Sequence, residues 1–203
     1  MNITLRQSGL FATNSYLLSD DDSVFLVDAP DDNGRMLSLL RDRRRLDAVL
    51  LTHGHFDHVM GLGAVLSLFP GTPVYLASPD HYYIKDGKTG NRNYIRWFGI
   101  PDEEYTVSEG IPLLDYPERI RGIKVLRTPG HTPGSVSLLL ENDGVLLSGD
   151  TLFEGGEGRV DLGGDYTALT ESLREILRLD GRIKVMPGHG GFTTVEDERR
   201  RLF

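Results

Sequence analysis

Three imidazoles and a carboxylate fall within one short run of this chain, Thr52-His53-Gly54-His55-Phe56-Asp57-His58. Such crowding is costly for folding unless something binds these side chains, and imidazole with carboxylate suits zinc, iron, manganese or cobalt. Five of the six histidines lie in three short segments, this run and residues 128–135 and 187–190. The chain has no cysteine, which removes the thiolate sites typical of structural zinc. Seven side chains are candidate metal ligands: His53, His55, Asp57, His58, His131, Asp150 and His189. One tetrahedral structural ion needs only four ligands, so this set suggests two ions, or one ion with spare functional groups.

Regular elements must position these groups. Val49-Leu50-Leu51 reads as a buried strand entering the histidines, and 60–69 as a helix leaving them. The motif then occupies a strand-end turn, where α/β folds build ligand sites. Alternation puts His53 and His55 on one side, with Asp57 and His58 reaching a neighbouring position as the helix starts. His131 lies in a rigid turn, Thr128-Pro129-Gly130-His131-Thr132-Pro133-Gly134, between two strand-like runs. Asp150 ends the apolar run Val145-Leu146-Leu147-Ser148-Gly149; taken alone it reads equally as a helix N-cap. His189 follows a strand at 183–186. Taken together, these strand-end placements point to convergence on one site. The isolated His81 reads instead as a satisfied polar residue.

Periodicity predicts strands at 3–6, 14–19, 24–28, 48–52, 74–76, 123–127, 135–140 and 145–148. A first helix is expected over 31–45, with Met36, Leu37, Leu39 and Leu40 as its apolar face and the basic run 41–45 as its solvated end. An amphipathic helix is expected over 166–179, and Thr194 with Asp197 resembles a capping pair opening a last short helix. The order implies an α/β protein with sheet layers covered by helices. A length of 203 residues suits a single domain, 1–203. Segment 81–109 mixes Tyr82, Tyr83, Tyr94, Trp97 and Phe98 with Lys85, Lys88, Arg92 and Arg96. It reads either as an insertion lining the pocket of an anionic substrate or as a helical insertion whose aromatics pack on the body.

The formal charge of −8 argues against nonspecific nucleic-acid binding, which demands a basic surface. No apolar stretch is long enough for a membrane span, and residues 1–10 lack the apolar core of a signal peptide. Absence of cysteine is compatible with the cytoplasm. A cytoplasmic protein acting on a small molecule is expected, with no nucleic-acid or membrane partner and its oligomeric state left open.

The ordered motifs Thr-His-x-His-x-Asp-His, Pro-Gly-His-Thr-Pro-Gly, Gly-Asp-Thr and a final Pro-Gly-His resemble those of the metallo-β-lactamase superfamily, from about Val24 to His189. Gly149-Asp150-Thr151-Leu152-Phe153, followed by Gly156, Gly158 and Arg159, is similar to the glyoxalase II group in particular. The resemblance implies a four-layer αββα sandwich with two mixed β-sheets. It implies that His53, His55 and His131 hold a first metal, that Asp57, His58 and His189 hold a second, and that Asp150 bridges them. The two divalent ions would be zinc, with iron or manganese as alternatives. Asp28, after Val24-Phe25-Leu26-Val27, matches an early aspartate that supports the histidine loop, though it also reads as a strand-end turn residue.

The implied chemistry is hydrolytic. Two divalent ions lower the pKa of a shared water towards ~7, and the resulting bridging hydroxide attacks a carbonyl carbon. Asp57 and Asp150 are the catalytic carboxylates, the first orienting the second metal and the second setting the metal spacing. A hydroxyacyl thioester suits such a site because thiolate leaves without a strong general acid. Arg159 matches a basic family residue that contacts the glutathione moiety; the alternative is a structural partnership with Asp161 or Asp165. Where the family often has an aromatic residue this chain has Asp161, and fourteen residues follow His189, so a counterpart of the helical C-terminal domain of the fuller glutathione sites is not expected. The rival readings are a persulfide dioxygenase, with one iron held by His53, His131 and Asp150, a lactonase, and a noncatalytic metal-binding protein.

Overall fold

In a computed structural model of the chain, residues 1–31, 34–85, 91–101 and 110–202 are described. They fall into two compact units, Met1–Asp115 and the remainder from Tyr116 onward. In the first, an antiparallel meander of β1 (Asn2–Ser8), β2 (Thr13–Ser19) and β3 (Val24–Val27) passes into parallel pairing with β4 (Ala48–Leu50). The helices α1 (Phe56–Val59) and α2 (Leu62–Leu68) follow, then β5 (Val74–Tyr75), α3 (His81–Lys85), α4 (Arg92–Trp97) and β6 (Leu113–Leu114). The sheet order is β1 to β6 in sequence, with β3, β4, β5 and β6 parallel to one another.

Burial explains this order. Every residue of β2, β3 and β4 is buried, as expected for interior strands covered on both faces. β1, at the edge, alternates exposed and half-buried positions over most of its length. The core of this unit gathers Leu17, Leu26 and Val49 from the strands and Leu51 from just past β4, with Val59, Leu62 and Val65 from the helices.

The helix expected over 31–45 is not continuous. A single 3-10 turn at Leu37–Leu39 stands in its place, residues 32 and 33 lying outside the described chain. Gly34 takes φ +82°, and the Ser38 hydroxyl donates to the Arg35 carbonyl at 2.6 Å, an alternative to the helical ladder. Met36, Leu39 and Leu40 are buried all the same. The apolar face is thus the expected one, and the element that carries it is different. The helix expected over 60–69 is observed as α2, and the short helix α1 precedes it, within the histidine motif.

The second unit begins with β7 (Arg119–Ile120), β8 (Ile123–Arg127), β9 (Val136–Leu140) and β10 (Val145–Gly149). A small hairpin of β11 (Leu152–Phe153) and β12 (Gly156–Glu157) precedes α5 (Tyr166–Leu177), β13 (Lys184–Pro187), β14 (Thr193–Thr194) and α6 (Val195–Leu202). Its main sheet runs β14-β13-β10-β9-β8-β7, with β10 and β13 the parallel pair. Asp165 caps α5 by accepting from the Ala168 N–H at 2.8 Å. Leu169, Leu173, Ile176 and Leu177 form its buried stripe and pack on Leu139, Leu146 and Val185. Thr194 Oγ1 accepts from the Asp197 N–H at 3.1 Å and donates to its carboxylate at 2.7 Å, so the expected pair does open α6. Among the described residues, no helix is long and apolar enough to cross a membrane.

Candidate metal centre

β4 delivers the chain through His53-Gly54-His55 into α1, with His55 at the helix N-cap. His53, His55 and His58 are all buried. Ring centroids lie 4.9 Å apart for His53 and His55 and 4.1 Å apart for His53 and His58. Potential ligand atoms of His53 and His55, of His53 and His58, and of Asp57 and His58 come within 4.8 Å of each other. Asp57, half-buried, accepts from the Thr13 hydroxyl at 3.3 Å.

Asp28 organises this loop from behind. It sits at φ +58°, a left-handed conformation that aspartate tolerates better than most residues. Its carboxylate accepts the Thr52 N–H on Oδ1 and the Thr52 hydroxyl on Oδ2, both at 2.8 Å. His58 Nδ1 lies 2.8 Å from the same Oδ2. A carboxylate only accepts, so His58 donates from Nδ1 and its Nε2 carries a lone pair. Because the Thr52 hydroxyl proton is committed to Asp28, Thr52 Oγ1 can only accept from His53 Nδ1, 3.1 Å away. His53 therefore also presents an Nε2 lone pair. The further backbone bonds Ala29 N–H to His58 O (2.8 Å) and Gly61 N–H to Ala29 O (2.7 Å) tie the turn after β3 to the histidine helix.

In the second unit, His131 sits between β8 and β9, Asp150 just past β10 and His189 just past β13. His131 Nδ1 lies 2.7 Å from the Arg159 carbonyl. A carbonyl only accepts, so this ring too has its proton on Nδ1. Asp150 Oδ2 is 3.7 Å from His131 Nε2 and 3.4 Å from His189 Nε2. A single carboxylate oxygen thus faces two imidazole nitrogens.

The donor sets fit divalent metal. In each unit an Nε2 lone pair faces a carboxylate oxygen at 3.7 Å, His58 towards Asp57 and His131 towards Asp150. Two electron-rich atoms placed so repel each other unless a cation lies between them. The spacing is close to the edge of a tetrahedron with metal–ligand bonds of ~2.0–2.1 Å, about 3.4 Å. Extra ring protons are a poor substitute, because charged imidazoles about 4 Å apart repel by about 4 kcal/mol at an effective dielectric of 20. A backbone carbonyl or carboxylate on Nδ1, with Nε2 left for the metal, is the usual support for a ligand histidine.

Of the two readings drawn for the Arg159 side chain, the partnership with Asp161 is the one seen. The Arg159 carbonyl orients His131, while its guanidinium grips Asp161 at 2.6 and 2.5 Å on an exposed surface. That hydrogen bond raises the Arg159 pKa and lowers the Asp161 pKa. His81 bonds the Leu76 carbonyl at 2.8 Å and is the satisfied polar residue expected. In segment 81–109, Tyr83 is buried, Tyr94 half-buried and Trp97 exposed; Lys88 and the Arg92 side chain lie outside the described residues.

Sequence reasoning missed Asp80 and Asn91 as partners of the histidine loop. Asp80 accepts the Gly54 N–H, and Asn91 donates to the Gly54 carbonyl. They stand 26 and 37 residues from that glycine, and no local pattern marks either.

A family model of the metallo-β-lactamase superfamily matches residues 8–189. The chain is 29% identical over 218 residues to the hydroxyacylglutathione hydrolase GloC of Haemophilus influenzae, covering 98% of this chain and 96% of that protein. It is similar to TTHA1623, whose structure was solved in a di-iron-bound form: TM-score 0.87, 32% identity, 98% of both chains. It is also similar to the BLEG-1 B3 metallo-β-lactamase: TM-score 0.84, 34% identity, 98% of this chain and 97% of the other. The two mixed sheets, their helices and the His/Asp clusters at the strand ends are those of a metal-binding fold, and the chain belongs to the metallo-β-lactamase superfamily.

Proposed function

We propose that this chain is a binuclear metal-dependent hydrolase that cleaves acyl thioesters of the hydroxyacyl-thiol type. His53, His55 and His131 would hold one ion and Asp57, His58 and His189 the other, with Asp150 shared between them. The observation that carries the reading is the lone-pair-to-carboxylate contact at 3.7 Å, made by His58 with Asp57 in the first unit and by His131 with Asp150 in the second. Bound divalent ions would polarise the substrate carbonyl and supply a nucleophilic water at neutral pH.

The protein's own groups have definite roles in this scheme. Asp28, Thr52 and the Arg159 carbonyl keep three imidazole protons on Nδ1, so that Nε2 remains a ligand atom. Asp150 Oδ2 faces two imidazoles at once, which suits a bridging ligand. The Thr13 hydroxyl donates to Asp57 Oδ2 and orients that carboxylate. A thiolate leaves without a strong general acid, which suits a site whose imidazoles and carboxylates are committed to metal. Likeness to GloC supports the thioester class. Arg159 would meet an anionic thiol carrier when its fork turns from Asp161. The substrate is a small molecule; no nucleic acid or membrane is engaged, and the cytoplasm is the proposed location.

Zinc is the proposed metal, with iron the specific alternative that TTHA1623 raises. Likeness to BLEG-1 adds β-lactams to the substrates worth trying. Elemental analysis of protein purified without added metal, followed by a panel of thioesters, lactones, β-lactams and persulfides, tests the reading. About two ions per chain with thioester turnover is expected. A single iron with oxygen uptake on a persulfide would overturn it, and so would β-lactam or lactone turnover without thioester turnover.

A further inference from the structure

The His53-Gly54-His55 run places the most permissive residue type between two proposed ligands. Glycine leaves both flanking peptide planes free to turn unless something else holds them. Here both are held. The Gly54 N–H donates to Asp80 Oδ2 at 2.8 Å. The Gly54 carbonyl accepts from Asn91 Nδ2 at 2.9 Å, and the same amide donates to the Tyr83 carbonyl at 3.2 Å. Asp80, Tyr83 and Asn91 are each 0% exposed.

Tyr83 closes the remaining space. A Cβ added at Gly54 would lie 2.6 Å from Tyr83 Cδ2 and 2.8 Å from its Cβ. Gly54 is not among the residues with positive φ, so glycine is required there for room and not for its backbone angle. The His55 ring meets Tyr83 edge-on at 5.2 Å and Tyr94 at 5.7 Å. Such edge-on pairs prefer a defined geometry. Ring packing thus helps to set His55, while His53 and His58 hydrogen-bond to Thr52 and Asp28.

We infer that Asp80 and Asn91 are positioning residues for the metal centre. They clamp the two peptide groups of Gly54 so that His53 and His55 are aligned before metal arrives. This rests on the metal-centre part of the proposed function and is independent of the substrate. It also explains why Tyr83 and Asn91, both within segment 81–109, are buried against the ligand loop. Without the clamp, ordering of the Gly54 backbone would fall to metal binding, and the affinity would drop accordingly. Loss of a group that orients a ligand typically weakens metal binding about 10–100-fold.

The test is metal affinity, by competition with a chromophoric chelator, for Asp80→Ala, Asp80→Asn and Asn91→Ala, beside the thermal midpoints of the metal-free proteins. Asp80→Ala and Asn91→Ala are expected to bind about 10–100-fold more weakly. Asp80→Asn keeps an acceptor for the Gly54 N–H and is expected to recover most of the loss. Folded Asp80→Ala and Asn91→Ala proteins with wild-type affinity would overturn the clamp. Should those variants fail to fold, amide exchange in the metal-free wild type decides. Protection of the Gly54 N–H equal to that of the β4 amides is expected, and exchange at loop rates would overturn the inference. A wild-type chain that takes up no metal would overturn the metal-centre reading as well, whereas normal uptake with insensitive variants would overturn the clamp alone.

Discussion

Asp28→Asn probes the proton inventory of the site with almost no change of shape. The wild-type carboxylate accepts three hydrogen bonds, from the Thr52 N–H, the Thr52 hydroxyl and His58 Nδ1, each at 2.8 Å. Asparagine keeps the left-handed backbone at φ +58° within its range, yet one of its two terminal atoms is now a donor. If the amide oxygen stays on the Thr52 N–H, the NH2 faces His58, whose proton must move to Nε2, the atom proposed to ligate metal. If the amide turns over, the NH2 faces the Thr52 N–H, and one buried donor loses its acceptor. Either arrangement of the metal-loaded protein costs about 1–3 kcal/mol. Read as metal affinity, that is a loss of about 5–150-fold, since 1.4 kcal/mol is a factor of ten. Long-range nitrogen–proton NMR of the metal-free proteins reports the tautomer, and chelator competition reports the affinity. The wild type should show His58 protonated at Nδ1 and the variant a substantial Nε2–H population. An unchanged His58 tautomer together with affinity within twofold of wild type would refute the reasoning.

Gly158→Ala should be severely destabilising and should lower metal content, because its Cβ would lie 1.9 Å from the Asp150 carbonyl and 3.1 Å from His131 Cβ. Gly156→Ala, where nothing lies within 4 Å, should be neutral or stabilise by up to about 1 kcal/mol; thermal melts and elemental analysis separate the pair. Asp161→Ala should release the Arg159 guanidinium and lower the Michaelis constant for an anionic thioester, while Arg159→Ala should raise it, both at unchanged metal content. Equal constants in steady-state kinetics would leave the pair as surface structure. The Asp180 carboxylate is held at about 2 by hydrogen bonds from Arg182. Its depressed pKa means that its contribution is present above the ordinary aspartate range and is lost as pH falls towards 2. Carbon-detected titration should find that midpoint, and Arg182→Ala should move it up towards 3.8.

How much is legible in the sequence varies with the range of the interactions involved. The seven candidate ligands announce themselves by residue type, because clustered histidines with carboxylates have no ordinary packing role. Strand-end placement of His53, His131, Asp150 and His189 follows from apolar runs that the backbone pairing then bears out. The stripe of α5 is readable from its 3.6-residue period, and the Thr194–Asp197 pair from its spacing. Expectation fails over 31–45, where an apolar pattern of helical period is carried by a 3-10 turn. Gly34 and the Ser38 hydroxyl interrupt the ladder there, and burial of Met36 and Leu40 rewards either conformation.

What the chain's own order determined is the chemistry available: which atoms can ligate, and that they sit at strand ends. What tertiary structure alone decided is the state in which those atoms are presented. Asp28 reaches across 30 residues to set the proton on His58, and the Arg159 carbonyl across 28 residues to set that on His131. Asp80 and Asn91 reach across 26 and 37 residues to hold Gly54. A hydrogen bond is specific to the atoms that meet, and one sequence does not state which distant residues the fold will bring within 3 Å. The candidate ligands, and Asp28 as a support of their loop, could therefore be named from the sequence, whereas the atoms that each support meets had to be found in space.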